Sequence, residues 1–103
     1  MNKSLSPIRP HGGTPEMEIL KRLQVIPGVG KSISRDLYDL GIRSVNDLKG
    51  KNPEILYQQS NRLAGTHQDP CLLYSFRCAV YFAETIEPDI RKLRWWYWKE
   101  KKK

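Results

Sequence analysis

Apolar residues recur along this chain in blocks separated by glycine and proline. Ile19 and Leu23 share one face of a prospective helix, with Met17 and Leu20 beside it. Thr14 can cap that helix, and Pro15 suits its first position, where the missing N–H costs nothing. The helix is expected to run to about Val25. Pro27-Gly28-Val29-Gly30 then breaks it. Ile33, Leu37 and Leu40 follow at the i, i+4, i+7 spacing of a buried stripe. They predict a second helix from about Lys31, with Gly41 as its left-handed cap. Ser44 and Asp47 resemble a capping box for a short helix through Leu48. Asn52-Pro53-Glu54 opens a helix carrying Ile55, Leu56 and Leu63, and Gly65 closes it.

Asp69-Pro70 is the cleanest start signal. The stretch from Pro70 to about Glu87 is apolar on nearly every side, through Leu72, Leu73, Tyr74, Phe76, Ala79, Val80, Tyr81, Phe82 and Ala83. Such a helix is surrounded by others, so it is the expected central post, stopped by Pro88. No useful segment shows the strict alternation of a half-buried strand. The expectation is an all-α domain, a compact bundle of about five helices.

Composition supports one domain. The chain has 103 residues, 39% hydrophobic and 28% charged, as in a soluble globular protein. Its net charge of +7 is unevenly placed. Residues 1–90 hold eleven Lys+Arg against ten Asp+Glu, while residues 91–103 hold seven basic residues and one acid, Glu100. The chain therefore divides into a flexible Pro- and Gly-rich arm 1–14, a near-neutral helical domain 15–90 and a basic aromatic segment 91–103. A basic total points to nucleic acid or an acidic membrane, and here only the last segment carries that signal.

Met1–Glu16 lacks the apolar core of an export signal. The longest apolar stretch, Cys71–Ala83, is interrupted by Ser75 and Arg77 and falls well short of the ~20 residues of a membrane span. A soluble, cytoplasmic protein with no membrane partner is expected. Cys71 and Cys78 lie two helical turns apart, roughly 10 Å, beyond disulfide reach. They read as reduced thiols.

The most informative stretch is Leu23-Gln24-Val25-Ile26-Pro27-Gly28-Val29-Gly30-Lys31. Glycines permit positive φ and remove the Cβ that would hold a ligand away. A new helix offers unpaired N–H groups and a partial positive charge, which suit a phosphate oxygen. Lys31 adds a full charge, and Ile26 and Val29 can pin the turn to the core. A Walker A loop would need glycine where Val25 stands, and a dinucleotide fingerprint would need it at Ile33. Neither follows a strand, so nucleotide binding is not expected.

What remains resembles the helix-hairpin-helix family over Leu23–Leu40, with Pro27, Gly28, Val29 and Gly30 as the specific part. Leu40-Gly41-Ile42-Arg43-Ser44-Val45-Asn46-Asp47-Leu48 is similar to what trails such hairpins in DNA repair and recombination proteins. That resemblance implies a SAM- or helix-hairpin-helix-like fold that holds duplex DNA phosphates without sequence preference. The contacts would be Pro27, Gly28, Val29, Gly30 and the Lys31 side chain, and a monovalent cation on hairpin carbonyls is an option within the family. The half around Gly65-Thr66-His67 carries no second Pro-Gly-x-Gly, so an accessory role is expected. A wider resemblance, from about Glu18 to Trp98, is to the small bacterial pathogenicity locus family, some of whose members are labelled mitomycin resistance proteins. It runs through Ile26-Pro27-Gly28-Val29-Gly30-Lys31, Asp36-Leu37, Leu40-Gly41-Ile42, Asp69-Pro70-Cys71, Phe76–Ala83 and Trp95-Trp96.

Other clusters have ordinary readings. His67, Asp69 and Cys71 are too few for a metal site, and Asp69 serves better as an N-cap. Cys71 near a helix start is a candidate for a lowered pKa. Asp36 and Asp39 share a face, but Arg35 and Arg43 make it a solvated one. No catalytic constellation is visible, so an enzyme is not expected. In the last segment Arg94, Trp95, Trp96 and Lys99 interleave cations and aromatics, a pattern that stacks bases and neutralises phosphates. The alternative is that Trp95 and Trp96 fold back as the core's last layer; both are expected in part, with one or two Trp packed and the terminal lysines free to meet an anionic partner. The leading expectation is a nucleic-acid backbone binder. The competing one is a protein-interaction module whose hairpin is purely structural.

Overall fold

The computed structural model describes residues 15–99. Thr14 with the rest of the arm 1–14, and residues 100–103 including Lys101–Lys103, lie outside the described residues. Among the described residues the chain forms four α-helices, three short 3-10 turns and no strand. The helices are α1 (Pro15–Leu23), α2 (Lys31–Asp39), α3 (Pro53–Ala64) and α4 (Pro70–Glu84). The 3-10 turns are Val45–Leu48, Ile90–Leu93 and Trp95–Trp98. The fold is all-α, as the periodicity predicts.

Helix α4 is the central post. Phe76 and Ala79 are wholly buried, and Ser75, Cys78, Val80 and Ala83 lie on buried faces. Around α4 pack α3, the Val45–Leu48 turn and both C-terminal 3-10 turns, which is why its sequence is apolar on several sides. Leu23, Ile26 and Leu37 bring α1, the turn after it and α2 into the same core. Each fully buried aliphatic or aromatic side chain of this kind contributes about 1.5–3 kcal/mol.

Four expectations are corrected. Helix α1 ends at Leu23 rather than near Val25. The Gln24 and Val25 amides donate to the Lys21 and Arg22 carbonyls at 3.1 and 3.3 Å, a tightened last turn that swings Ile26 inward and leaves Val25 exposed. The fifth helix is only a 3-10 turn, and Ser44 makes no capping bond with its side chain. The Asp47 carboxylate instead accepts the Arg43 N–H, one residue upstream, at 2.9 Å.

In α3 the buried face is Leu56, Tyr57 and Ser60, whereas Ile55 and Leu63 are exposed. That face can be partly polar because its groups are bonded. The Tyr57 hydroxyl donates to the Gln68 carbonyl, and Gln68 Nε2 donates to Ser60 Oγ at 2.9 Å. Finally, α4 stops at Glu84 instead of Glu87. Pro88 bars helical backbone at the residue before it. The chain reverses through extended Thr85, so that the Asp89 N–H reaches the Tyr81 hydroxyl at 2.9 Å.

Two predicted caps hold. Asn52 Oδ1 accepts from the amides of Glu54 and Ile55, and Asp69 Oδ1 accepts from Cys71. Gly41 and Gly65 have the positive φ that a left-handed helix end requires. No helix among the described residues is long and apolar enough to cross a membrane.

Candidate nucleic-acid interface

Residues Gln24–Gly30 join α1 to α2 as a turn fixed from below. Ile26 and Val29 are 1% and 5% exposed. The Val29 N–H donates to the Ile26 carbonyl at 3.0 Å, and Gly28 turns the chain with φ +83°. A second brace is polar. Ser34, wholly buried on α2, donates its hydroxyl to the Lys31 carbonyl at 2.9 Å and accepts from Gln24 Nε2 at 3.2 Å. The bridge ties the end of α1 to the first turn of α2, so the mouth of the turn is held rigid.

At that mouth the chain offers donors that no acceptor among the described residues takes up. Gly30 is the N-cap of α2 and has no side chain with which to cap it. The amides of Gly30, Lys31, Ser32 and Ile33 precede the first intrahelical bond, from Ser34 N–H to the Gly30 carbonyl at 3.0 Å. The first turn of α2 contains no acidic residue, unlike α1 with Glu16 and Glu18 or α3 with Glu54. Its positive dipole end is therefore uncompensated, and Lys31 adds a charge that forms no ion pair among the described residues. A Cβ built on Gly30 meets nothing within 4 Å. Its backbone, at φ −99° and ψ −159°, is open to any L-residue. Only Gly28 of the two turn glycines needs its positive φ.

Two open grooves flank the turn. One, of about 250 Å³, is lined by Met17, Leu20, Lys21, Gln24 and Lys31. Sequence reasoning did not single out Lys21; the packing of α1 on α2 brings it to the same groove as Lys31. The other, of about 440 Å³, runs from Gly28 and Ser32 past Asp36 and Asp69 to Trp95. Asp36 lowers the local potential on that side. Partial burial, and then the charge of Asp39, push its carboxyl above the ordinary aspartate range.

The described part of the basic aromatic segment, through Lys99, lies against α4 by way of the Ile90–Leu93 and Trp95–Trp98 turns. Trp95 lies parallel to Tyr74 with ring centres 6.4 Å apart. Trp98 leans on Tyr81 and donates its indole N–H to the Lys92 carbonyl at 2.8 Å. The Trp98 carbonyl in turn accepts from Arg77, which also pairs with Glu54. The packed pair is therefore Trp95 and Trp98, not Trp95 and Trp96. Trp96 stands 53% exposed, with the Arg94 guanidinium 5.7 Å from its ring centre. Lys99, three residues further on, is exposed as well.

The remaining candidates are dispersed. His67 meets the Tyr57 ring edge to face at 5.8 Å. The Asp69 carboxylate is bound to Cys71, and it raises the Cys71 thiol pKa rather than lowering it. The anion outweighs the partial positive charge of the helix start. Burial pushes Cys78 up to about 11. Both cysteines are free thiols. Arg35 pairs with Glu16 and Asp39, and Arg43 lies over the Tyr38 ring at 3.7 Å.

Comparison with known proteins adds two findings. The family described as "Pathogenicity locus" matches residues 16–103, nearly all of the chain. A relative named mitomycin resistance protein McrB, from Streptomyces lavendulae, is 30% identical over 81 residues, covering 79% of this chain and 73% of that protein. No solved structure matches significantly.

Proposed function

The chain belongs to the Pathogenicity locus family, and we propose that it binds a nucleic-acid backbone, duplex DNA first, without reading sequence. In this reading the α1–α2 unit is a helix-hairpin-helix element, and Pro27, Gly28, Val29, Gly30 and Lys31 form its phosphate site. One observation carries it: among the described residues the first turn of α2 presents amides with no acceptor, no capping side chain, no acid and a lysine in no ion pair. A phosphate oxygen bound there accepts charge-assisted hydrogen bonds, which are stronger than neutral ones. Lys21 and Lys31, on the adjoining groove, extend the contact to neighbouring phosphates by charge alone, so base identity does not enter.

A monovalent cation, which the family resemblance allows at this hairpin, would sit on backbone carbonyls of the turn. Those of Leu23 and Ile26 each accept one turn amide and keep a second lone pair for it. The binding proposal does not depend on that ion.

The burial of Ile26, Val29 and Ser34 favours a second reading, in which the turn only fastens two helices and the protein docks a protein partner. Titration of the full chain with labelled duplexes of unrelated sequence, at two salt concentrations, separates the two. Backbone binding gives equal affinities that fall with salt. Absence of binding, or affinity unmoved by Lys31→Ala, leaves the interaction module standing. An accessory role in DNA metabolism follows from the first reading. Resistance to mitomycin, the property named for the Streptomyces lavendulae relative, is its cellular test.

A further inference from the structure

Trp96 is the exposed member of a supported aromatic stack. It meets Trp95 at a right angle with ring centres 5.6 Å apart, and Trp95 lies on Tyr74 of the central helix. Tyr97, 45% exposed, is braced at 5.2 Å by Trp98, whose indole N–H is tied to the Lys92 carbonyl. Large aromatics presented to solvent on a braced turn lose little entropy when a flat ligand stacks on them. Around them stand Arg94, 5.7 Å from the Trp96 ring, and Lys92, 5.9 Å from the Tyr97 ring. Arg91 in the same stretch is paired with Asp89 at 2.9 Å, which leaves Lys92, Arg94 and Lys99 as its other cations. The ligand that matches exposed aromatic faces, each with a cation beside it, is a base on its own phosphate chain.

Position adds a second argument. Trp95 closes the groove that begins at Gly28 and Ser32, so the aromatic turn and the mouth of the α1–α2 turn are two ends of one surface. Asp36 and Asp69 line the same groove, so a backbone that runs from the α2 amides to the aromatic turn relies on Lys31 and Arg94 to outweigh two carboxylates. In a perfect duplex every base is already stacked on its neighbours and none is available to an aromatic ring. We infer that Trp96 stacks an unpaired nucleobase while the Pro27–Lys31 turn holds the adjoining backbone, so that the protein selects DNA with a locally unstacked base over perfect duplex. This rests on the phosphate-binding reading of the turn, and the experiment separates the two.

The full chain is titrated by anisotropy against a labelled duplex and the same duplex carrying an unpaired bulge. Wild type, Trp96→Ala, Trp96→Phe and Gly30→Ala are compared, each checked by circular dichroism. Base–aromatic stacking should make the bulged duplex bind about 5- to 150-fold more tightly than the perfect one. Trp96→Ala should abolish that preference and keep the duplex affinity, and Trp96→Phe should restore most of it. Gly30→Ala should weaken both ligands alike and leave their ratio intact. If Gly30→Ala changes nothing while Trp96→Ala still erases the preference, the phosphate site falls and the stacking site stands. Equal wild-type affinities, or an equal loss on both ligands in Trp96→Ala, would overturn the inference. So would tryptophan fluorescence that responds to phosphatidylserine vesicles but not to DNA, which would mark a membrane-facing patch.

Discussion

Gly30→Ala is the cleanest perturbation the fold offers. The residue sits at φ −99° with open space around its absent Cβ, so alanine neither clashes nor strains the backbone. Two small effects on stability oppose each other. Alanine is a poorer N-cap than glycine, by up to about 1 kcal/mol. It also reduces the freedom of the unfolded chain, which returns about 0.4–1 kcal/mol. The melting temperature should therefore stay within roughly 5 °C of wild type. Binding should not be spared if the proposed site is right, because the new methyl group would crowd a phosphate oxygen approaching the α2 amides. Loss of one hydrogen bond to a charged acceptor is worth about 1.5–3 kcal/mol, which is roughly 10- to 150-fold in Kd. Anisotropy titration with a labelled duplex reads the affinity, and thermal melting by circular dichroism reads the fold. A folded variant with wild-type affinity would refute the reasoning. Gly28→Ala is the contrasting case. Its φ of +83° makes alanine cost about 1–2 kcal/mol of stability, so its binding defect would be confounded.

Further outcomes follow from the same geometry. Lys31→Ala should lower the slope of log affinity against log salt by about one and leave melting unchanged, as titration and calorimetry would register. Trp98→Ala should destabilise by about 2–3 kcal/mol, below the range for a fully buried aromatic, because Trp98 is half-buried and anchors the segment to Tyr81 and Lys92. Trp96→Ala should cost under about 0.5 kcal/mol; chemical denaturation ranks the pair, and the reverse order would contradict the packing described. Asp36 is held above its ordinary pKa by burial, so the folded state binds its proton more tightly than the unfolded state does. Stability therefore falls as pH rises from the ordinary aspartate range through the raised value. Asp36→Asn should raise the melting temperature at pH 7 and not at pH 3, and should also strengthen duplex binding by removing a charge from the groove beside the turn.

The elements with strong local signals were legible in the sequence. Asn52-Pro53 and Asp69-Pro70 start helices because cap and proline act within a single turn of backbone, and the all-round apolarity of α4 required neighbours on several sides. The misread positions depend on partners distant in sequence. Leu63 has helical spacing from Leu56 yet faces solvent, because Gln68 satisfies Ser60 and Tyr57 and lets that partly polar face go inward. Trp96 and Trp98 are alike in composition, but the Lys92 carbonyl and Tyr81 select Trp98 for packing. At the candidate site, Pro27–Lys31 could be read from two glycines and a lysine. The uncapped state of α2 and the groove joining it to Trp95 emerge only from packing. Lys21 is similar: nothing in its own neighbourhood marks it, and only the pairing of α1 with α2 puts it on the groove with Lys31.

Backbone amides at the start of α2 are proposed to receive a phosphate. An amide-resolved NMR titration of the isotope-labelled full chain with an unlabelled duplex of arbitrary sequence tests it most directly. The account predicts that the largest shifts fall on Gly28, Gly30, Lys31 and Ser32, that they shrink with added salt, and that they are the same for a second, unrelated sequence. Shifts confined to Arg94–Lys99 with the α2 amides unmoved, or no shifts at low salt, would contradict it.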